Sequence, residues 1–417
     1  MDSRLLDSYA TVILEFGLKI NMGEKVLILF DENGIELARR ISSKAYQLGA
    51  SDVRTIYRDS EIEISRYQYG TNQALISFPK FEADYQLESM RNGYHSINLL
   101  SFNGVDNNID ANKIAAYQTI RSKMMAETQK IGMSNYVKWV IVPVASYRWA
   151  KAIHPQLAPD IAYELLWEEL FKVCRVNEEN PLLSWKIHNQ SLKFHTDWLN
   201  RIAIKSLHFM DENTDLTVGL VDNHIWCGGE NVTKDGKVFL SNIPTEEVYT
   251  MPNKYEVDGH VKITRPFMLY GKLINELTLY FKEGKVIDFN TSGATELISK
   301  FIHTDSGSNR LGEIALVDKF SPINQINHPF YQLLIDENAC SHLALGNAYE
   351  ENITNSYSSK ESVGFNQSSV HLDLMIGSND MTVTGKLKNG QKMLIMKEGT
   401  WVSIKEESYE SKGNSTK

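Results

Sequence analysis

The chain has 417 residues, of which 42% are hydrophobic and 10% aromatic, a composition that supports two domains with sizeable cores. Its formal net charge of -9 disfavours nucleic acid as a partner, because binding to phosphates requires a basic surface. The same charge disfavours electrostatic docking on an anionic membrane, so neither class of partner is expected.

The first third of the chain alternates short apolar strands with amphipathic helices. The predicted strands are Lys25–Phe30, Asp52–Tyr57, Ser96–Leu100 and Val137–Val144. The predicted helices are Glu36–Leu48, ended by Gly49, and Ala111–Gln129. Strands separated by helices of this length predict parallel βα units. A nucleotide-binding role is not expected, because neither a Gly-x-Gly-x-x-Gly nor a Gly-x-x-x-x-Gly-Lys-Ser/Thr motif is present.

The pattern changes after Asn177-Glu-Glu-Asn-Pro181, a polar, acidic segment that is the best linker candidate. A helix is predicted from Leu183 to about Arg201. Short strand-like segments bounded by turn residues follow, at Asp215–Leu220, Val238–Leu240 and Leu277–Phe281. We therefore predict an α/β N-terminal domain over residues 1–180 and an α+β, mainly β domain over residues 181–417, which carries all the candidate metal ligands described below. The polar tail from Glu406 onward is expected to be mobile.

The three cysteines, Cys174, Cys227 and Cys340, are too few and too widely spaced for a disulfide framework. The N-terminus is acidic where a signal peptide would be basic, and the apolar runs, such as Val26–Phe30, are too short to span a bilayer. A cytoplasmic location without a membrane anchor is the simplest interpretation.

Two segments near the C-terminus combine histidine with carboxylates. Glu337-Asn-Ala-Cys-Ser-His342 allows a helical turn or a tight loop to bring its first and last side chains to one site. In His371-Leu-Asp373, a strand would point both polar side chains to the same face, because the side-chain period of a strand is two. An ordinary polar pair on a half-buried strand is an equally good interpretation of the second segment.

Neighbouring residues allow more than one role. Cys340 could supply a thiolate ligand, although a small buried residue is the favoured interpretation. Tyr349 lies seven residues beyond His342, which in a helix would put both on one face. It could then bind metal, stabilise an oxyanion or simply pack in the core.

Two upstream segments add carboxylates. In Pro244-Thr-Glu-Glu-Val-Tyr249 only one of Glu246 and Glu247 can face inward if the segment is extended. Glu313 precedes an apolar run, a position that also suits the start of a helix. Several carboxylates with two histidines suit two divalent ions that share one pocket and activate a water. His-Glu-x-x-His, Gly-x-Ser-x-Gly and Cys-x-x-Cys motifs are absent, which removes the commonest competing classes of site.

Four stretches, taken in order, resemble the thermophilic-type metalloaminopeptidase family, the group of aminopeptidase S, aminopeptidase T and PepS. They are Asn242–Thr250, Arg310–Val317, Glu337–Gly346 and His371–Ser378. The similarity extends through Trp149-Ala150, Asn180-Pro181 and Trp185, and so covers nearly the whole chain.

The resemblance implies a cytosolic exopeptidase that acts on peptides with a free N-terminus. It implies two divalent ions, of zinc, cobalt, manganese or magnesium, and a homodimer whose site faces an enclosed cavity. The implied metal ligands are Glu247, Glu313, Glu337, His342, His371 and Asp373, with Tyr349 at the site as a further ligand or catalytic group. The choice of Glu247 over Glu246 follows from its spacing to Glu313.

We therefore predict a metal-dependent aminopeptidase in which Glu313 or Glu337 moves the water proton and Tyr349 contacts the oxyanion. Two rivals are another two-metal hydrolase, such as a phosphoesterase or an amidohydrolase, and a non-enzymatic binding protein. A phosphoesterase should present Arg or Lys beside the metals, and Arg310 is the nearest candidate in sequence.

Overall fold

The computed structural model describes residues 2–102, 110–354 and 363–402, so the polar tail from Glu406 lies outside the described residues. The helices are α1 (Ser3–Thr11, continued by a π-helical segment, Val12–Gly17), α2 (Ile35–Gln47), α3 (Ser60–Tyr69), α4 (Asn72–Leu75), α5 (Lys80–Arg91), α6 (Ala111–Met133), α7 (Tyr147–Ile153), α8 (Pro159–Val173), α9 (Pro181–Ile202), α10 (Thr295–Ile302) and α11 (Leu333–Asp336).

The first half of the chain forms a parallel sheet covered by helices. Its strands are β1 (Lys25–Phe30), β2 (Asp52–Tyr57), β3 (Tyr94–Leu100) and β4 (Trp139–Pro143), in the order β2-β1-β3-β4. All three pairings are parallel, as the alternation of strands and helices predicts. Helix α2 buries an apolar stripe at Leu37, Ile41 and Ala45 and ends before Gly49, whose φ of 92° suits glycine at this position.

Helix α9 begins at Pro181, the last residue of the predicted linker. Residues 177–180 form an exposed bend, the Asn180 side chain accepts a hydrogen bond from Leu183 N, and Pro181 occupies the first turn. Along the helix, Trp185 packs in the core of the first half, whereas Leu192 and Leu199 pack in the core of the second. The predicted boundary at residue 180 stays a prediction.

The second half is rich in antiparallel strands. They are β5 (Ile204–Met210), β6 (Asp215–Leu220), β7 (Asn231–Val232), β8 (Val238–Phe239), β9 (Glu247–Thr250), β10 (Pro252–Lys262), β11 (Phe267–Leu269), β12 (Lys272–Ile274), β13 (Leu277–Lys282), β14 (Lys285–Thr291), β15 (Leu311–Val317), β16 (His342–Gly346), β17 (His371–Met375), β18 (Thr382–Leu387), β19 (Lys392–Lys397) and β20 (Thr400–Trp401). One sheet has the order β14-β13-β10-β6-β5-β18-β19-β20, and another has the order β17-β16-β15-β9. The predicted fold class, an α/β half followed by a sheet-rich half, is confirmed.

The two halves share a core. Apolar side chains from the second half join the core around the parallel sheet, among them Leu240, Ile243, Ile323, Phe330 and Ile335. The backbone joins them as well, because Ile141 N in β4 donates to Ser241 O at 2.8 Å. Strand β4 is therefore held against the segment that leads into β9. None of the helices in the described ranges is both long and apolar enough to cross a membrane.

Candidate metal centre

The sheet β17-β16-β15-β9 carries most of the predicted ligands. His342 pairs with Ala315, and Asp373 pairs with Ala344. Glu247 pairs with Val317 at the other edge. Directly paired residues point to the same face, and residues two apart along a strand share that face. The register therefore places five predicted ligands on one face of the sheet, namely Glu247, Glu313, His342, His371 and Asp373.

Alternation in the sequence explains why this face is polar while the other is apolar. The residues between the ligands, such as Val248, Ile314, Leu343 and Leu372, belong to the core of the second half. On the ligand face, the small side chains of Ala315 and Ala344 lie between the ligands. The hydrophobic core thus fixes the strand register, and that register sets the positions of the polar groups.

The polar groups form two overlapping clusters that share Glu313. In one, His342 Nε2 lies 3.1 Å from Glu247 Oε2 and 3.9 Å from Glu313 Oε1. In the other, His371 Nε2 lies 3.1 Å from Asp373 Oδ1 and 3.5 Å from Glu313 Oε2. Each cluster supplies three potential ligand atoms within 4.8 Å of one another. Because its two oxygens face different histidines, Glu313 is the natural bridge between the clusters.

Glu337 and Tyr349 reach the site from outside the sheet. Glu337 begins a 3₁₀ helix, Glu337–Ala339, just before β16, and it lines the same cavity as the two clusters. A tight loop therefore joins Glu337 to His342, one of the two arrangements that the sequence allowed. The Tyr349 hydroxyl lies 3.4 Å from His371 Nε2.

Two expectations about local structure are wrong. Tyr349 does not share a helix face with His342, because residues 342–346 form strand β16 and Tyr349 follows it in a loop. Glu313 does not begin a helix, because it lies inside β15. In both places short apolar runs are compatible with either helix or strand, and the pairing with neighbouring strands decides between them.

The adjacent glutamates point in different directions. Glu247 faces His342, whereas Glu246 Oε2 lies 2.9 Å from Arg175 Nη2 and 3.5 Å from His188 Nε2. Cys340 is buried in the core of the second half and belongs to neither cluster, in agreement with the interpretation of a small buried residue.

Burial and crowding shift the acid–base properties of the site. Burial, and then the charge of Glu247, raise the pKa of Glu313 to about 8. Burial and the charge of Asp373 raise the pKa of Glu337 well above its usual value. Burial alone would lower the pKa of His371, but the neighbouring carboxylates, Asp373 first, raise it to about 10. A buried cluster with four carboxylates and two imidazoles therefore holds protons tightly and favours added positive charge.

One carboxylate oxygen and one imidazole ring show that the cluster suits cations. Glu247 Oε2 is buried, and its 3.1 Å contact with His342 Nε2 lacks hydrogen-bond geometry, so among the described residues this oxygen accepts no hydrogen bond. In His371, Nδ1 lies 2.8 Å from the Asn347 carbonyl oxygen, which can only accept a hydrogen bond, so Nδ1 carries a proton. Its Nε2 faces the carboxylates of Glu313 and Asp373. Imidazole and carboxylate donors of this kind suit zinc and similar divalent ions.

The clusters line a cavity of about 1260 Å³. Part of its wall comes from the first half of the chain and includes Gln129, Lys130 and Trp139. Sequence reasoning missed this wall, because nothing local connects α6 to a site two hundred residues away. It also missed Tyr249, which lies two residues after Glu247 on the same strand and lines the cavity. The period of two could have identified Tyr249.

A cavity lined by clustered carboxylates and imidazoles is typical of metal-dependent hydrolases. Comparison with known proteins agrees, since the chain belongs to the thermophilic metalloprotease (M29) family, which it matches over residues 2–401.

Curated relatives match along nearly their whole length. Aminopeptidase AmpS of Bacillus subtilis (strain 168) is 37% identical over 404 residues, which cover 96% of this chain and 98% of the relative. Aminopeptidase T of Thermus aquaticus is 34% identical, with 95% and 98% covered. The solved structure of wild-type AmpT from Thermus thermophilus superposes with a TM-score of 0.90 at 32% identity and covers 96% of this chain and 99% of that one.

These comparisons confirm the resemblance found in the sequence and the prediction that the chain is an enzyme of the metalloaminopeptidase class. Membership of a metalloprotease family implies a divalent metal cofactor and peptide substrates.

Proposed function

We propose that the chain removes N-terminal residues from peptides and that two divalent ions share the pocket above the sheet. The proposed ligands are Glu247, Glu313, Glu337, His342, His371 and Asp373, with Tyr349 adjacent. The observation that carries the proposal is the pair of three-residue clusters that have Glu313 in common. One shared carboxylate with an oxygen toward each histidine is the arrangement expected where two ions lie side by side.

The donor set fits such ions. Within the described part of the chain, the ion pairs of Glu247, Glu313 and Asp373 involve only histidines. When deprotonated, four buried carboxylates against two imidazoles carry a surplus of negative charge, which cations would neutralise in place of protons. When bound, divalent ions in such a site lower the pKa of a water from about 15.7 toward 7 and polarise the peptide carbonyl.

The chain's own groups would handle the proton and the oxyanion. Glu313 belongs to both clusters, which favours Glu337 as the carrier that takes a proton from the attacking water and gives it to the leaving amine. Burial and the charge of Asp373 raise the pKa of Glu337, which makes its carboxylate a stronger base for the proton of the water. The Tyr349 hydroxyl can donate a hydrogen bond to the oxyanion of the tetrahedral intermediate.

The acidic cavity also favours a positively charged α-amino group, which would restrict cleavage to the first peptide bond. Arg310, the candidate from the sequence for holding a phosphate, gives no support to a phosphoesterase, because it donates to the Lys254 carbonyl, stacks on Tyr255 and does not line the cavity. A homodimer and a cytoplasmic location stay predictions.

The test compares one peptide in free and N-acetylated forms, with the digests followed by mass spectrometry. We expect the free peptide to be shortened one residue at a time and the acetylated peptide to stay intact, because acetylation removes the charge of the amine. Chelation should abolish the activity, and zinc, cobalt, manganese or magnesium should restore it.

Matched variants separate the site from the rest of the protein. His342→Ala should lower turnover by at least about a hundredfold, as loss of a metal ligand does. His208→Ala should have little effect, because His208 pairs with the exposed Asp215 at 2.8 Å and does not line the cavity. Cleavage of the acetylated peptide, internal fragments, or full activity without metal would reject the proposal.

A further inference from the structure

A third cluster of imidazoles and a carboxylate lies where the two halves of the chain meet. His154 follows α7, Glu169 lies in α8, and His328 lies in the segment between β15 and α11. None of the three lines the cavity of the candidate metal centre. The cluster therefore needs an explanation of its own.

The geometry of this cluster is close to that of a metal site. His154 Nε2 lies 3.1 Å from Glu169 Oε2, and His328 Nε2 lies 2.8 Å from Glu169 Oε1. All three potential ligand atoms lie within 4.8 Å of one another. In a tetrahedral zinc site with bonds of about 2.0–2.1 Å, neighbouring ligand atoms are about 3.3 Å apart. Small side-chain rotations would bring these atoms to that spacing.

The orientation of His328 supports the same interpretation. Its Nδ1 lies 3.1 Å from the Pro329 carbonyl, which can only accept a hydrogen bond. Nδ1 therefore carries a proton, and in the neutral imidazole the lone pair is on Nε2, which faces Glu169. Metal-binding histidines commonly have this arrangement. His371 in the candidate metal centre has it too, through the Asn347 carbonyl.

The buried His95 differs from this cluster in the hydrogen bonding of its ring nitrogens. His95 Nδ1 accepts a hydrogen bond from Lys138 N at 3.2 Å, so its Nε2 carries the proton and donates to Glu24, 3.2 Å away. That neutral imidazole is satisfied at both nitrogens. In the His154–Glu169–His328 cluster, two imidazole nitrogens converge on one carboxylate, and His328 must take an additional proton to donate to it.

The cluster is partly buried yet reachable. The His154 side chain is 7% exposed and that of His328 is 23% exposed. His328 also lines a surface pocket of about 490 Å³. The pocket offers an entry path and space for a water as fourth ligand.

We propose that His154, Glu169 and His328 form an additional site for a divalent transition-metal ion, bound by two imidazole nitrogens and one carboxylate. Two nitrogens and an oxygen suit zinc, which is the probe for the test. The proposal does not depend on the proposed function, because it uses none of the residues of the candidate metal centre.

The ion would tie two helices of the first half to the segment that leads to Glu337. That segment is already fixed at two points. Trp149 Nε1 donates to the Phe330 carbonyl at 2.6 Å, and Phe330 N donates to Asp336 Oδ1 at 2.8 Å. Asp336 immediately precedes Glu337, so the ion would stabilise the approach to the candidate metal centre.

The test starts from full-length protein that carries His342→Ala and His371→Ala, so that the histidines of the candidate metal centre are absent. This parent protein is stripped of metal and titrated with Zn²⁺ by calorimetry and with Co²⁺ by absorption spectroscopy. We expect one Zn²⁺ to bind per chain, and we expect the absorption spectrum of bound Co²⁺ to indicate a low coordination number. Adding His328→Ala or Glu169→Gln should weaken the binding at least about tenfold, the lower end of the loss seen even for residues that only support metal ligands.

His208→Ala in the same parent is the matched control, since it removes a histidine that contacts the exposed carboxylate of Asp215 and belongs to none of the three clusters found among the described residues. Glu169→Gln keeps the size of the side chain and one acceptor, so it should fold even if His328→Ala does not, and circular dichroism of the metal-free proteins checks this. A parent that binds no zinc, or zinc binding unchanged by the Glu169 and His328 substitutions, would overturn the proposal.

Discussion

Exchanging the adjacent carboxylates Glu246 and Glu247 for glutamine, one at a time, should separate stability from metal binding. Glu246 forms a two-point ion pair with Arg175, and its side chain is 5% exposed. Glu247 faces His342, and its buried Oε2 lies 3.1 Å from His342 Nε2 without accepting a hydrogen bond from any described residue. The two residues are neighbours in sequence, but they belong to different networks.

For Glu246→Gln we expect a large loss of stability. Removing one partner of a buried ion pair costs about 3–5 kcal/mol. The Arg175 side chain is 13% exposed, so water reaches it, and we take the lower end, about 3 kcal/mol. Metal affinity and turnover per folded molecule should stay the same.

For Glu247→Gln we expect the opposite result, a large loss of turnover without a loss of stability. The substitution removes one of several crowded carboxylates, so the metal-free protein should be as stable as the wild type or slightly more stable. Turnover should fall at least about a hundredfold, equivalent to about 2.7 kcal/mol of transition-state stabilisation.

The assay measures the free energy of unfolding of both metal-free variants in denaturant, with turnover of an aminoacyl anilide measured in parallel. Each variant is the control for the other. Equal losses in both measurements, or loss of turnover in Glu246→Gln alone, would refute the assignment of Glu247 to the metal centre.

Three further substitutions probe the positioning of the site. Gly312→Ala should destabilise the protein by about 1–3 kcal/mol and reduce turnover, because the new Cβ would lie 2.5 Å from the Asn347 carbonyl oxygen. Gly132→Ala in α6 is the control: its Cβ would lie 3.6 Å from the Met90 methyl group, so thermal melts should show unchanged or increased stability. Burial raises the pKa of Asp305, but hydrogen bonds, those from Ser369 first, lower it to about 2. Its stabilising effect is therefore present above the unfolded pKa of about 4 and is lost as the pH falls toward 2, and Asp305→Asn should show a flatter loss of stability over that range in acid unfolding curves. Tyr349→Phe should reduce kcat at least tenfold with little change in KM or melting temperature, and an unchanged kcat would exclude an oxyanion contact.

The elements of the first half were predictable because their signals are local. Lys25–Phe30 and Asp52–Tyr57 are short apolar or β-branched runs bounded by turn residues, and both occur as strands with the predicted bounds. Parallel pairing followed from the helices between them. These conclusions need only the period of the side chains and the length of each segment.

The geometry of the candidate site was only partly predictable. The shared face of His371 and Asp373 followed from the period of two, and the structure has them on one strand. The positions of Glu313 and Tyr349 did not follow, since both lie beside apolar runs whose local pattern fits helix or strand. The sheet order β17-β16-β15-β9 resolves this ambiguity through pairings between segments far apart in the chain, which one sequence does not reveal.

The shared core of the two halves has a consequence for how the protein is made. The parallel sheet is synthesised first, but the side chains that complete its core run from Leu240 to Ala339, and the last of them emerges roughly 165 residues after the end of α8. At about 5–20 residues per second, a ribosome needs about 10–30 s to supply them. During that interval the nascent chain exposes apolar surface that the finished enzyme buries. We therefore expect the early part of this polypeptide to require a holding chaperone, and a chain truncated after α8 to bind a hydrophobic dye where the full chain does not.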